Sequence, residues 1–191
     1  MNRPIAAAGA RVEQDAGRSR ILRRTVAVLG FAALTAVGAR IAVPLPGSPV
    51  PFTFQVAAVL AAGLLLGPRL GAASQVAYLA AGAAGLPAFA MGGGMAYLLG
   101  PTGGYLLAYP AAAAVVGLVA RERRPMLELA ALVAGVAAIY AGGAAWLAAA
   151  TGPGVALRQG VLPFLGVDAL KVALVFLVAR KAAGPVRRFL D

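Results

Sequence analysis

Asp168 and Lys171 are the residues of this 191-residue chain best placed to do chemistry. They stand three positions apart inside its last long apolar run, VLPFLGVDALKVALVFLVA. On a helix that spacing puts both on one face. An ionisable residue in hydrocarbon is costly and by default marks function or a buried partner. The plain alternative is a pair that merely neutralises itself, which is expensive to keep buried unless it aids packing or function. Lys171 can meet a carboxylate with three N–H donors, and Asp168 can accept N–H groups. Together they suit a small ligand carrying an acid and an amide-like group. Proton or cation coupling is the competing reading, but no second membrane-buried carboxylate is expected to build a relay.

Other polar side chains fall near the ends of apolar runs. Gln55 follows Pro51-Phe52-Thr53-Phe54, so Thr53 and Gln55 offer a hydroxyl and an amide at one helix start. Ser74, Gln75 and Tyr78 form a polar-aromatic patch that serves either a ligand or interhelical hydrogen bonds. Phe89, Tyr97 and Tyr105 alternate with Gly and Pro in AFAMGGGMAYLLGPTGGYL, residues 88–106. Non-helical backbone near a bilayer must be covered by protein or line a cavity. Arg40 and Arg158 are the remaining candidates to meet a ligand carboxylate, or a lipid headgroup. Gly100-Pro101-Thr102-Gly103-Gly104 lacks the Gly-Lys-Ser/Thr ending of a phosphate loop, and no ATPase motif occurs elsewhere.

The elements that must position these residues follow from composition. Hydrophobic residues make up 61% of the chain and charged residues only 12%, about half the charged share of a soluble domain. The chain reads as an all-α, polytopic membrane protein. Cys and His are both absent. That removes thiolate metal sites, disulfides and the commonest general base. No enzyme activity, metal or cofactor is expected. The net charge of +11 gathers beside apolar segments, where it can face anionic lipid and fix orientation. No groove-reading motif accompanies it, so nucleic acid is not an expected partner.

Six apolar segments are predicted, at about Leu22–Val43, Phe54–Leu66, Leu70–Leu86, Gly104–Ala120, Met126–Ala150 and Val161–Ala179. The second to fourth are near or below the roughly 17-residue minimum for a perpendicular span. Short, Gly- and Pro-interrupted segments often line a transporter's binding site. Gly67-Pro68-Arg69 is a tight turn, Thr151–Gly160 a Gly/Pro loop, and residues 1–20 a flexible basic cytosolic tail ahead of a membrane domain over 21–191. With six spans, Arg40 and Arg158 fall on one side and every other cation outside the spans on the opposite side. The positive-inside rule then puts both termini in the cytoplasm of a compact six-helix bundle in the cytoplasmic membrane. Asp168 and Lys171 would lie roughly 10–15 Å below the outer end of the last helix. Small residues four apart in the first helix, Ala32 and Ala36, permit close helix approach.

The blocks VPLPGSPVPFTFQ, LAAGLLLGPRLGAASQVAYLAAGAAGLPAFA, GPTGGYLLAY and VDALK, in this order and spacing, resemble BioY. These are the biotin-binding membrane subunits (S components) of energy-coupling factor transporters. The resemblance covers all but the N-terminal tail. It implies six helices, biotin captured from the outer side, and association with a transmembrane coupling protein and two cytosolic ATPases, which alone use ATP. It carries the family's acid and lysine positions onto Asp168 and Lys171, and its helix-two block onto Pro51, Thr53 and Gln55. Ala32 and Ala36 would dock the coupling protein. By the same resemblance, ureido N–H groups suit Asp168. The tail carboxylate suits Lys171 or an arginine, and the bicycle would pack on Tyr78, Phe89, Tyr97 or Tyr105. Two departures are local. Many relatives read Pro-Gly-Asp where this chain has Gly166-Val167-Asp168, and no Asn follows Phe89.

The leading expectation is therefore a biotin-uptake subunit energised by a coupling module. A self-sufficient secondary transporter of biotin or a small carboxylate is the first alternative. A structural membrane protein is the second, and Asp168 and Lys171 argue against it.

Overall fold

The computed structural model describes residues 3–191, with side chains from Gly17 onward. Helix α1 (Arg3–Arg40) leads through β1 (Ala42–Val43) and β2 (Phe52–Thr53) into α2 (Gln55–Ala83). Short helices α3 (Met95–Leu98) and α4 (Gly103–Leu107) precede α5 (Tyr109–Val119). Then come α6 (Pro125–Thr151), α7 (Pro153–Gly160) and the long terminal α8 (Leu165–Leu190). Among the described residues the fold is all-α apart from a short ribbon of two-residue strands, in which Ala42 pairs antiparallel with Thr53, and an isolated bridge between Phe89 and Gly92. Of the basic tail expected over residues 1–20, the side chains up to residue 16 lie outside the described residues. Gly17–Arg20 are helical and exposed.

Among the described residues, five helical stretches are long and apolar enough to cross a membrane: Gly17–Arg40, Gln55–Ala83, Gly103–Glu122, Pro125–Thr151 and Pro153–Leu190. The second of these is a hairpin. Gly67 sits at φ 78°, ψ −179°, and Pro68 follows, so the helical hydrogen-bond ladder breaks there. Residues 55–66 and 68–83 form two arms that fold back on each other. The side chain of Gln55 reaches that of Tyr78, 23 residues later, which a straight helix would hold roughly 35 Å away. The Gly67-Pro68-Arg69 turn expected from sequence therefore reverses the chain.

Small residues let these rods touch. A Cβ on Gly63 would overlap the backbone of Ala113 in α5, and one on Gly117 would overlap Gly67 and Pro68. Leu60, Val116 and Leu132 fill the centre of the bundle, all fully buried. Ala32 and Ala36 are half-buried and pack toward this same core. Large apolar side chains such as Leu29, Val37, Leu174 and Val178 face outward, an arrangement that hydrocarbon favours.

Two expectations are corrected. The segment 151–160 is not a loop: α6 runs to Thr151, and Pro153 opens α7 at its first turn, a position that tolerates proline. Val155-Ala156-Leu157-Arg158 then supplies residues with enough helical preference to continue it. As a result α8 starts at Leu165, and Asp168 lies in its first turn. The acid is about one turn from the helix start, not 10–15 Å down it.

Candidate ligand site

At the start of α8, backbone N–H groups have no intrahelical partner and the helix dipole favours negative charge. Asp168 occupies that position. Its Oδ1 accepts a hydrogen bond from Lys171 Nζ at 2.7 Å, and its Oδ2 accepts one from the Tyr140 hydroxyl at 2.6 Å. Asp168 and Lys171 are each 3% exposed, so this is a buried, hydrogen-bonded ion pair with a third member from α6. The Lys171 ammonium also sits 4.1 Å from the centre of the Phe52 ring, a cation–π contact that strengthens when desolvated.

A second polar group faces this one. Thr53 donates to Gln55 Oε1 at 3.0 Å, and the Tyr109 hydroxyl donates to the same oxygen at 3.2 Å. Gln55 Nε2 donates to the Tyr78 hydroxyl. Gln55 is fixed here because β2 ends at Thr53 and Gln55 opens α2 after a single intervening residue, placing its amide at the start of the hairpin. Both polar groups line one cavity, together with Tyr97, Tyr105, Ile139 and Phe164.

The aromatic wall depends on glycine. Gly92 and Gly94 have φ of 141° and 94°, values that favour glycine. The turn they make pairs Phe89 with Gly92 and returns Gly94 N–H to the Gly82 carbonyl at 2.7 Å. Phe89 is thereby buried with its ring 5.5 Å from Tyr78 (edge-on) and 5.2 Å from Tyr97 (stacked). Tyr105 sits against Gly143 and Gly160, where a Cβ on either glycine would overlap it. Its hydroxyl donates to the Gly160 carbonyl at 2.9 Å and ties α4 to α7.

The structure thus brings together Thr53, Gln55, Tyr97, Tyr105, Asp168 and Lys171 on one cavity. Tyr78 and Phe89 form a layer behind it and touch it through Gln55 and Tyr97. Arg40 and Arg158 are exposed and lie outside the cavity lining. Arg40 instead donates to the Pro87 carbonyl. Gln75 bonds Ser74 and Thr35, tying α2 to α1. Sequence reasoning passed over Tyr109, Tyr140 and Phe52 as site residues. The available signal for the two tyrosines was a phenol inside an apolar run, whose hydroxyl needs a buried partner. Asp168 is also not the only buried acid: Glu128, in the first turn of α6, is 6% exposed. Twelve residues of helix separate Glu128 from Tyr140, roughly 18 Å, too far for a direct relay to Asp168.

The chain that carries this cavity has known relatives. A sequence profile described as the BioY family matches residues 10–188. The chain belongs to the BioY family. A probable biotin transporter BioY of Pyrococcus horikoshii is 44% identical over 155 residues, 81% of this chain and 92% of that one. The biotin transporter BioY of Thermotoga maritima is 40% identical over 152 residues, 78% and 89% of the two chains. A crystal structure of the S component for biotin from an ECF-type ABC transporter superposes with a TM-score of 0.78 at 27% identity, covering 84% of this chain and 90% of that one. Like its BioY relatives, the chain is an integral, multi-pass protein of the cell membrane.

Proposed function

We propose that this protein is the biotin-binding subunit of an energy-coupling factor transporter and mediates biotin uptake across the cytoplasmic membrane. The observation that carries the reading is the buried Asp168–Lys171–Tyr140 unit on a cavity whose other walls are aromatic. A ureido ring presents a carbonyl oxygen beside an N–H. Lys171 and Asp168, hydrogen-bonded to each other, present a donor beside an acceptor. The two edges are complementary, so both residues meet the ring end of biotin. Lys171 retains N–H donors beyond the one it gives Asp168, and each Asp168 oxygen retains accepting capacity. The thioether bicycle packs on Tyr97, Tyr105 and Phe164, and Gln55 with Thr53 orients the opposite polar edge.

Six crossings and cytoplasmic termini complete the picture, with each arm of α2 counted as one short span. The charge asymmetry supports it: Arg69 and the Arg121–Arg124 turn lie on the side of both termini. The ligand site then opens outward, and a coupling protein with two ATPases supplies the energy. No ATPase motif is present in the chain.

Labelled biotin binding to the purified protein tests the function. Binding by the parent, with strong loss in Asp168→Asn and Lys171→Ala, is expected. Losing one partner of a buried charge pair costs roughly 2–5 kcal/mol of affinity. A parent that binds no biotin would overturn the proposal. Uptake by vesicles with and without the coupling module decides whether the subunit works alone.

A further inference from the structure

A cleft further along α8 shares no lining residue with the candidate ligand cavity. It is lined by Arg123, Glu128, Arg180 and Arg187, together with Ala183 and Gly184. Arg123 lies in the turn between α5 and α6. Arg180 and Arg187 lie two turns apart on α8 and so project from one face. Asp168 to Arg180 spans roughly 18 Å of helix and Asp168 to Arg187 roughly 28 Å, about the thickness of a bilayer's hydrocarbon core.

Three arginines and a single carboxylate line this cleft. Glu128 is buried and its Oε2 is 4.0 Å from Arg180 Nε. The Arg180 guanidinium is steadied 5.2 Å from the centre of the Phe176 ring. Among the described residues, Arg123 and Arg187 form no ion pair. Two positive charges are left unbalanced in a partly enclosed cleft. Arg123 is held there against its preferences. Its φ of 55° makes it the one non-glycine residue with positive φ among those described, a conformation that costs energy and persists when the surroundings enforce it. Burial, and then the neighbouring Arg187, pull its pKa down, with Glu128 opposing. Gly184 leaves open space where a side chain would stand. By contrast, the neighbouring Arg124 is paired with Glu122 at 3.3 Å on the open surface.

We infer that this cleft binds a phosphate group through Arg123, Arg180 and Arg187, and that its source is the headgroup of an anionic glycerophospholipid. Guanidiniums match phosphate oxygens with paired N–H donors. A surplus of two charges suits a phosphate better than a zwitterion. The cleft lies at the level where a cytoplasmic leaflet carries its anionic headgroups; that leaflet assignment rests on the topology proposed above.

Native mass spectrometry of the purified full-length chain tests this, with phosphatidylglycerol, phosphatidylcholine or inorganic phosphate added and biotin binding read in the same samples. The parent is expected to retain phosphatidylglycerol and not phosphatidylcholine. Arg123→Gln with Arg187→Gln should lower that retention about tenfold, equivalent to about 1.4 kcal/mol. Arg121→Gln with Arg124→Gln removes the same charge outside the cleft and should leave retention near the parent's. Arg187→Gln alone, at an exposed helix position, covers the case in which the double variant misfolds. Displacement of phosphatidylglycerol by equimolar inorganic phosphate would keep the phosphate site but overturn the lipid source. Equal retention of phosphatidylcholine, or equal losses in the two double variants, would overturn the site itself. Biotin binding should persist throughout, so a parent that retains phosphatidylglycerol without binding biotin defeats only the functional reading.

Discussion

The hydroxyl of Tyr140 on α6 lies 2.6 Å from Asp168 Oδ2 on α8, and this bond joins two helices that both line the cavity. It gives a second partner to a buried carboxylate that already holds Lys171. Tyr140 therefore fixes where Asp168 points before any ligand arrives. On the proposed function, a ligand would meet a pre-oriented acceptor and donor, which reduces the ordering cost of binding.

Tyr140→Phe deletes this bond while keeping the ring. Hydrogen bonds to charged groups are worth about 1.5–3 kcal/mol, so biotin affinity should fall by about one to two decades. Titration calorimetry measures it. An affinity equal to the parent's would mean that Tyr140 does not position Asp168.

Lys171→Met strands the Asp168 carboxylate beside Tyr140 alone. Removing one partner of a buried pair costs about 3–5 kcal/mol, and thermal unfolding in detergent should show it. Asp168→Asn combined with Lys171→Met removes both charges and should recover much of that loss, yet still bind no biotin. If the double variant is as unstable as the single, the loss at Lys171→Met comes from packing and not from the orphaned charge.

Gly143→Ala places a methyl group in the ring of Tyr105. Overpacking of this kind costs about 1–3 kcal/mol. Because Tyr105 also bonds the Gly160 carbonyl, the displacement should reach α7 and weaken biotin binding as well as stability. Unchanged binding with reduced stability would place Tyr105 in the scaffold and not in the ligand wall.

Arg40→Gln and Arg158→Gln change the cations on the side expected to face outward. Both residues are exposed and lie away from the cavity lining. Equilibrium biotin affinity should therefore match the parent's in each, with any effect confined to association rate at low salt. A tenfold loss of affinity, or about 1.4 kcal/mol, in either variant would bring that arginine back to the ligand carboxylate.

Much of this site was legible in one dimension. Asp168 and Lys171 stand out because their chemistry contradicts their surroundings, and their spacing alone places them on one helical face. Thr53 and Gln55 were found by their place after a proline-rich stretch that cannot be helical. Gly67-Pro68 announced a reversal because its backbone chemistry permits little else. Tyr109 and Tyr140 were harder. A tyrosine in an apolar helix fits packing, interface and ligand roles alike, and its hydroxyl partner lies 54 or 28 residues away. The helix α7 was read as a loop because Gly and Pro at its ends outweighed the helix-forming residues between them.

The sequence by itself determined the class, the apolar runs and the charged pair, since hydrophobicity, turn chemistry and helical spacing are local properties. Only the tertiary structure decided that Tyr140 and Phe52 complete the pair, that Arg40 and Arg158 stand apart from the cavity, and that Arg123, Arg180 and Arg187 meet at one cleft. The physical reason is that burial and hydrogen-bond partnership depend on which helices pack together. That packing is set by the glycines at which α2, α5, α6 and α7 approach one another.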